Sequence, residues 1–258
     1  MILKQKKETL IMITDRSKLM STRDIPLIEN IVTWQGEGCN TGKRMYLVRF
    51  KRCSCHCPFC DTWTKMNDTD EKLFSIDDIN EEIKKNQVSN LMITGGEPTL
   101  DKIPIEGYRN NLQSTIDMLT FCHYEYADVE TNGYNIEDLL HKAIKIQSFQ
   151  TTKKINISYS PKFFRIDDVY TALKKCEYVS LYQDHLPIVK VVVNDSYSFL
   201  FARQLINNGI YKPNNLYLMP LGTNKDEISN SFVKDVVPLA SELKCNISGR
   251  MHLVHNFA

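Results

Sequence analysis

Four cysteines and a histidine lie within ten residues, in the stretch CSCHCPFCDT at positions 53–62. Thiolates gathered so closely can hold zinc or an iron–sulfur cluster, or can pair as disulfides. Structural zinc usually takes two separated pairs of ligands, and the sequence offers no second pair at zinc-finger distance. The four thiols are also too crowded for independent disulfide bridges. Three of them, Cys53, Cys57 and Cys60, form C-x3-C-x2-C, which can ligate three irons of a [4Fe–4S] cluster and leave the fourth iron open to a small molecule.

Composition places the chain among globular proteins. Its 258 residues carry a formal net charge of +1, which gives no general electrostatic basis for binding nucleic acid. No apolar run approaches the roughly 18 residues of a membrane span, and the apolar group at 10–13 is too brief for a signal peptide. We therefore expect a cytoplasmic protein with reduced thiols and no membrane partner. Residues 1–22 are predicted to be a poorly ordered lead-in, and residues 23–258 to form one domain.

Strand-like and helix-like patterns alternate along the chain. Between apolar β-type runs, apolar residues recur every three or four positions, as in α-helices. The first of these helices follows a candidate cap, Ser75, and the last, at 226–244, contains Pro238, which should kink or split it. Six alternations predict a parallel α/β sheet with right-handed crossovers, either an open doubly wound sheet or a full or partial barrel. The β-type runs lie at 45–50, 91–94, 127–131, 155–159, 188–193 and 216–219, with a further one at 250–254.

Glycine, proline and polar residues follow the predicted strands at once. Because the carboxyl ends of parallel strands meet at one edge of a sheet or barrel, we expect these loops to face a common mouth. Glycine is suited to such a loop because the backbone can approach a ligand closely without a Cβ. The loops are TGGEP (94–98), ETNG (130–133), YSPK (159–162), VND (193–195) and MPLG (219–222).

These motifs carry a resemblance to a known family. The C-x3-C-x2-C loop, with the aromatic Phe59 before its last cysteine and the TGGEP loop downstream, resembles the radical S-adenosylmethionine (SAM) superfamily. WQGEG at 34–38, Arg49 in the strand before the cysteine loop, CDT at 60–62, ETNG and SPK resemble the 7-carboxy-7-deazaguanine synthase (QueE) family in type and order. The resemblance extends over positions 25–220. It implies a partial (β/α)6 TIM-like barrel, a [4Fe–4S] cluster, SAM and Mg²⁺.

The resemblance also implies a role for each motif residue. Arg49 suits a substrate that carries a carboxylate, because a guanidinium can bind that group through two hydrogen bonds. The cluster ligands are Cys53, Cys57 and Cys60, and the magnesium ligand is Thr62, through its hydroxyl. The residues implied for SAM are Phe59, Asp61, Gly95, Gly96, Ser160, Pro161 and Lys162. The residues implied for the substrate are Trp34, Gln35, Gly36, Arg49 and Thr94, with Glu37, Glu130, Asn132 and His255 as further candidates.

The reaction implied is a radical ring contraction. In that family an electron delivered to the cluster splits SAM into methionine and a 5′-deoxyadenosyl radical, which takes hydrogen from C6 of 6-carboxy-5,6,7,8-tetrahydropterin. The six-membered ring contracts, hydrogen returns, SAM is regenerated, and loss of ammonia gives 7-carboxy-7-deazaguanine. The implied partners are this small-molecule substrate, a flavodoxin- or ferredoxin-like electron donor and a second copy in a homodimer.

The chain departs from the family pattern in two places. Cys39 and Cys55 are thiols that the pattern does not require, and Cys55 is interpreted as a non-ligand because Cys53 supplies the expected spacing. The ending RMHLVHNFA begins like a closing strand but lacks the family's glycine- and aromatic-containing tail, so that His255 or the terminal carboxylate could reach the substrate. Lys190 and Asp195 are interpreted as structural.

Two other functions are compatible with parts of the sequence. A glycyl-radical-enzyme activase shares the cysteine loop and a GGEP-like loop, but it does not explain the joint occurrence of WQGEG, CDT and SPK. A non-catalytic, metal-binding regulatory protein could retain the same scaffold.

Overall fold

The computed structural model describes residues 25–60, 62, 67–102 and 109–255. The predicted lead-in at 1–22 and the candidate ligand Asp61 lie outside these ranges. The strands are β1 (Ile25–Leu27), β2 (Glu29–Trp34), β3 (Arg44–Arg49), β4 (Lys72–Phe74), β5 (Asn90–Thr94), β6 (Tyr126–Thr131), β7 (Lys154–Tyr159), β8 (Ile188–Val193), β9 (Leu216–Pro220) and β10 (Asn246–Ile247). The helices are α1 (Ile76–Lys85), α2 (Asn111–Phe121), α3 (Ile136–Phe149), α4 (Ile166–Val179), α5 (Ser196–Asn207), α6 (Lys225–Ser231), α7 (Val237–Leu243) and α8 (Met251–Val254).

One sheet of eight strands organises the described chain, in the order β10-β9-β8-β7-β6-β5-β3-β2. Strands β3 and β5 to β10 are parallel, and β2 runs antiparallel beside β3. The edge strands β2 and β10 do not pair with each other within the described residues, yet hydrogen bonds join the segments that follow them. The Met251 N–H donates to the Gly36 carbonyl at 3.0 Å, and the Gly38 N–H donates to Ser248 Oγ at 2.7 Å. The predicted alternation is confirmed, and the sheet is a partial barrel.

Side-chain alternation along the strands separates an apolar outer face from a polar inner face. On β6, Ala127 and Val129 are fully buried in the core that the sheet forms with its helices. Their neighbours Asp128 and Glu130 point to the opposite face, and Lys190 on β8 lies on that inner face as well. Successive side chains of a strand point to opposite faces, so β6 presents apolar side chains to the core and carboxylates to the inner face. The inner face is therefore where polar chemistry can take place.

Side-chain caps begin several of the helices, among them α1 and α5. Ser75 Oγ accepts from the Asp78 N–H, and Asp78 Oδ2 accepts from the Ser75 N–H, so that the predicted cap of α1 is a reciprocal capping box. Asp195 Oδ1 accepts from the Ser198 N–H at 2.9 Å at the start of α5, which agrees with a structural role for Asp195.

Pro238 divides the last long helical segment, as predicted. Helix α6 ends at Ser231, a π-helical turn spans Phe232–Val236, and α7 follows. The Val237 N–H bonds to the Phe232 carbonyl, five residues back. Proline has no N–H to donate and its ring clashes with the carbonyl four residues earlier, so the wider turn accommodates it. No helix in the described ranges has both the length and the apolar character needed to cross a bilayer.

The predicted strand at 250–254 is wrong. Those residues form the short helix α8, and the final strand is the two-residue β10 just upstream. A short apolar run fits either a strand or one turn of helix, and periodicity over five residues cannot distinguish them. Here the Met251 N–H is held by Gly36 and the Val254 N–H by the Arg250 carbonyl, which fixes the helical turn.

Candidate active site at the mouth of the partial barrel

A cavity of about 580 Å³ opens at the carboxyl ends of the parallel strands. Loops that are far apart in the sequence meet on its wall, including the cysteine loop, the TGGEP loop and the WQGEG segment. A smaller hollow of about 390 Å³, between His141 and His185 on the outer surface, contains none of the predicted site residues. The predicted residues on the cavity wall are Trp34, Gln35, Gly36, Glu37, Arg49, Cys53, Cys57, Phe59, Cys60, Thr62, Thr94, Gly95, Gly96, Glu130, Asn132, Ser160 and Lys162.

The cysteine loop presents four partly buried thiols to this cavity: Cys53, Cys55, Cys57 and Cys60. A turn closes the second half of the loop, where the Cys60 N–H donates to the Cys57 carbonyl at 3.2 Å. In the described residues, no three histidine, cysteine or carboxylate side chains converge on one ion position. A four-iron cluster binds each thiolate through a different iron, so its ligands need to share a wall rather than a point. This donor set of soft thiolates on one wall fits a [4Fe–4S] cluster.

The two glycines of TGGEP allow that loop to pack against the residue before Cys53. Gly96 has φ +46°, and a Cβ there would lie 2.2 Å from the Arg52 carbonyl oxygen. At Gly95, with φ +67°, a Cβ would lie 1.9 Å from Arg49 Cγ. Only glycine tolerates both the backbone conformation and the contact. The Glu97 N–H then donates to the Arg52 carbonyl at 2.7 Å and attaches the glycine loop to the cysteine loop.

Glu97 joins three loops from a fully buried position. Its carboxylate accepts from Thr131 Oγ1 at 2.5 Å, from Thr99 Oγ1 at 2.6 Å and from the Asn132 N–H at 2.6 Å. Burial raises the pKa of Glu97, and these hydrogen bonds oppose that shift. Since its oxygens are occupied within the protein, the glutamate of GGEP supports the site and does not face a ligand.

The loops after β6 and β7 complete the wall nearest the cysteines. Asn132 Nδ2 donates to Ser54 Oγ at 3.0 Å and to Cys55 Sγ at 3.4 Å. Lys162 Nζ donates to Ser160 Oγ at 2.9 Å, and both residues reach the cavity. Pro161 lies between them, is buried and does not line the cavity.

Arg49 and Thr62 meet on another part of the wall. Arg49 Nε donates to Glu29 Oε2 at 2.6 Å, and its Nη1 donates to Thr62 Oγ1 at 3.1 Å. Both side chains are largely buried, so the guanidinium is held in a fixed orientation at the end of β3. An oriented guanidinium beside a hydroxyl can receive an anionic group and a hard cation together.

Gln35 is anchored from beneath by two carboxylates. Its Nε2 donates to Glu130 Oε1 at 2.9 Å and to Asp128 Oδ2 at 3.3 Å. Asp128 also accepts from the amides of Asn40 and Asn156, at 2.9 Å each, so its burial is compensated. These contacts fix the amide orientation of Gln35, which leaves its carbonyl group to accept from the Glu37 N–H.

A buried charge network lies on the inner face below Gln35. Lys190 is 2% exposed and forms ion pairs with Glu130 and with Glu37, the latter at 3.2 Å. Arg250 Nε also lies 3.2 Å from Glu37, and its Nη1 donates to the Gly222 carbonyl. Burial raises the pKa of Glu130 to about 7, although Lys190 pulls it down. Burial works to lower the pKa of Lys190, but Glu130 and Glu37 outweigh it and raise that pKa.

Sequence reasoning missed the contribution of the chain after β10. His255, one of the candidates, is exposed and lies off the cavity wall, because the chain turns into α8 there. Arg250, His252 and Leu253 line the cavity instead. A Cβ on Gly36 would lie 2.2 Å from His252 Nδ1, so the glycine of WQGEG makes room for this histidine. Lys190 had a sequence signal, since it is a lone lysine in an otherwise apolar strand.

Comparisons with known proteins agree with this geometry. The Radical SAM superfamily matches residues 47–198, more than half of the chain. A 7-carboxy-7-deazaguanine synthase from Clostridium acetobutylicum is 26% identical over 213 residues, which cover 81% of this chain and 87% of that protein. A protein of the same name from Prochlorococcus marinus is 26% identical over 72% of each chain. The crystal structure of QueE from Escherichia coli has the same fold, with a TM-score of 0.53 and 17% identity over 88% of this chain and 94% of that one. From the cysteine loop, the glycine loop and these matches together, the chain belongs to the Radical SAM superfamily, whose members use a [4Fe–4S] cluster and S-adenosylmethionine.

Proposed function

We propose that this chain is a 7-carboxy-7-deazaguanine synthase, which converts 6-carboxy-5,6,7,8-tetrahydropterin to 7-carboxy-7-deazaguanine with loss of ammonia. The observation that carries the proposal is that one cavity joins the cysteine loop to the Arg49–Thr62 pair and to Gln35. The two synthases named above support it, since each matches more than two thirds of this chain. A cavity of about 580 Å³ is within the range of small-molecule sites.

The rival functions account for less of the site. A glycyl-radical activase requires the cysteine loop and the glycine loop, and a regulatory protein requires the thiols alone. Neither gives a reason for a fixed guanidinium beside Thr62 or for the amide of Gln35 held by Glu130. A small anionic heterocycle as substrate gives a reason for both.

The wall with the cysteines would hold the cofactors. Cys53, Cys57 and Cys60 would ligate three irons, and when bound the cluster supplies the electron that cleaves a carbon–sulfur bond of SAM. Asn132 and Glu97 keep the neighbouring loops against the cysteine loop. The residues proposed to bind SAM are Phe59, Gly95, Gly96, Ser160 and Lys162, with Pro161 supporting the loop and Asp61 taken from the motif alone.

Another part of the cavity wall would hold the substrate. Arg49 binds the carboxylate, and Thr62 offers its hydroxyl to Mg²⁺, which usually completes its shell with water and substrate oxygens. Gln35 lies on the wall beside the heterocycle with its amide held by Glu130 and by the Glu37 N–H, and the protein walls exclude water from the reacting carbon. The other proposed substrate contacts are Trp34, Gly36, Thr94 and, through the charge network, Glu37 and Glu130.

The setting of the reaction is proposed from its chemistry. All eight cysteines are free thiols, which suits a reducing compartment such as the cytoplasm. The reductant would be a flavodoxin- or ferredoxin-like protein, and the protein would act as a homodimer. Size-exclusion chromatography with light scattering tests the last point, since a mass of 29.9 kDa would mean a monomer.

Anaerobic turnover tests the proposed function directly. The reconstituted protein, with reductant, SAM and the carboxy-tetrahydropterin, is expected to form 7-carboxy-7-deazaguanine and ammonia, detected by mass spectrometry. SAM should not be consumed in stoichiometric amount, because it is regenerated. A protein with full iron and sulfide content that cleaves SAM without forming this product would contradict the assignment.

Thr62 provides a prediction for the metal. In Thr62→Ala the Mg²⁺ concentration for half-maximal activity is expected to rise about tenfold or more, whereas Thr62→Ser, which keeps the hydroxyl, should respond like the parent. A magnesium titration of initial rates measures this. An unchanged response in the alanine variant would refute the role of this hydroxyl.

A further inference from the structure

Cys55 is a thiol that the proposed cluster does not use. It lies on the same cavity wall as Cys53, Cys57 and Cys60, in the middle of their loop. The Cys55 N–H donates to Cys53 Sγ at 3.4 Å, and the Cys55 thiol interacts with the thiols of both Cys53 and Cys57. Any cluster assembled on the other three thiols would therefore have a fourth thiol beside it.

The groups that contact Cys55 from outside its loop define which side of the site it faces. Asn132 Nδ2 donates to its Sγ at 3.4 Å from the loop after β6. The ammonium of Lys162, on the loop after β7, acts electrostatically on both Cys55 and Cys57. The second of these loops carries Ser160 and Lys162, at which SAM is proposed to bind. Cys55 therefore lies beside two of the three proposed ligands, on a part of the wall that Lys162 also faces.

We propose that the Cys55 thiolate binds the fourth iron of the cluster when SAM is absent and that SAM displaces it. A soft thiolate is a natural ligand for iron in such a cluster. On displacement the bond between iron and Cys55 Sγ breaks, and bonds form from the iron to the amino nitrogen and carboxylate oxygen of SAM. The ammonium group of SAM gives up one proton as its nitrogen binds the iron, and the released thiolate takes up one proton. No electron is transferred. The proposal rests on the proposed cluster ligation and does not depend on which substrate is turned over.

Binding of Cys55 to the fourth iron, here called the Cys55 cap, should lower the apparent affinity of the protein for SAM. SAM would bind only to the fraction of the protein in which the fourth iron is uncapped, so its apparent affinity is lowered by that fraction. If about nine-tenths of the protein is capped, removal of the thiol should tighten SAM binding about tenfold. The compensating advantage is that the exposed iron is covered between turnovers.

Mössbauer spectroscopy of ⁵⁷Fe-reconstituted full-length protein distinguishes the capped from the uncapped state. In the parent protein without SAM, each of the four irons is expected to carry a cysteine thiolate. Addition of SAM should change the signal of one of these irons. In Cys55→Ser and Cys55→Ala, one distinct iron should already be present without SAM, and equilibrium dialysis should give about tenfold tighter SAM binding. Cys39→Ser, at an exposed thiol off the cavity wall, should match the parent in both measurements.

Three outcomes would overturn the proposal. SAM-free spectra and SAM affinities of the Cys55 variants that equal those of the parent would show that the thiol does not bind iron. Loss of the cluster from both Cys55 variants, with retention in Cys53→Ser, would make Cys55 one of the three permanent ligands. If the parent protein without SAM already shows one iron that lacks a cysteine ligand, Cys55 does not bind the fourth iron. None of these results depends on turnover, so failure of the proposed function would be recognised separately, by the absence of product from a protein with normal SAM-linked spectra.

Discussion

Replacing Arg49 with lysine is expected to lower kcat/KM for the carboxy-tetrahydropterin about a hundredfold, with little change in SAM affinity. The guanidinium is oriented by Glu29 at 2.6 Å and by Thr62 at 3.1 Å, at the end of a buried strand. Lysine keeps the charge but cannot offer two parallel hydrogen bonds to a carboxylate or contact both of these partners at once. A loss of about 3 kcal/mol in transition-state binding corresponds to roughly two orders of magnitude in rate.

The matched control for Arg49 lies at the other end of the same strand. Arg44 is exposed and donates to the Gln87 carbonyl, away from the cavity, so Arg44→Lys should have parent-like kinetics. Iron content and SAM affinity report whether the neighbouring cysteine loop is intact in both variants. If Arg49→Lys keeps kcat/KM within about threefold of the parent while both readouts are normal, another residue binds the substrate carboxylate.

The sequence predicted the fold to the extent that local patterns determine it. Apolar runs followed by helical periodicity identified six of the seven parallel strands, and Ser75 and Pro238 marked a helix start and a helix interruption. The segment at 250–254 defeated the same method, because the hydrogen bond from Met251 to Gly36 comes from the opposite edge of the sheet. Contacts between residues more than 200 positions apart leave no local signature.

The site was predictable where a motif combines residue type with a strand end. The thiols, the glycines of TGGEP and Arg49 reach one cavity because parallel strands deliver their following loops to the same edge. The supporting contacts were not predictable. Glu97 could have been read as a ligand-facing carboxylate, yet Thr131 and the Asn132 N–H occupy it. Arg250 meets Glu37 only because the two edges of the partial barrel approach each other.

Lys190 belongs to the same charge network as Glu37 and Arg250, and its replacement has the largest expected effect on stability. Lys190→Met is expected to lower the free energy of unfolding by about 3–5 kcal/mol near pH 8, measured by urea denaturation. Methionine fills much of the volume but leaves the largely buried carboxylate of Glu130 on the cavity wall without its cation. Breaking a buried pair from one side costs more than removing both partners, because a charge remains buried and unpaired.

The loss of unfolding free energy in Lys190→Met, relative to the parent, should increase with pH. Burial already raises the pKa of Glu130 from its ordinary value of 4.5 to about 7, and Lys190 is the main group that pulls it down. Without Lys190 this pKa rises further. A carboxyl whose pKa is higher in the folded state than in the unfolded state loses stability as pH rises from the unfolded value through the folded one. The difference in unfolding free energy between variant and parent should therefore be smaller at pH 5 than at pH 8.

Two further variants separate the effect of charge from that of packing. Lys190→Met combined with Glu130→Gln removes the unpaired carboxylate, so it should recover a large part of the loss at pH 8 and flatten the pH dependence. Lys154→Met, at an exposed lysine on the neighbouring strand β7, should lie within about 0.5 kcal/mol of the parent. The loss of stability in Lys190→Met could instead be the same at both pH values and persist when Glu130→Gln is added. That result would mean that packing of the lysine chain stabilises this wall. In that case the charge of Glu130 would not be what Lys190 compensates.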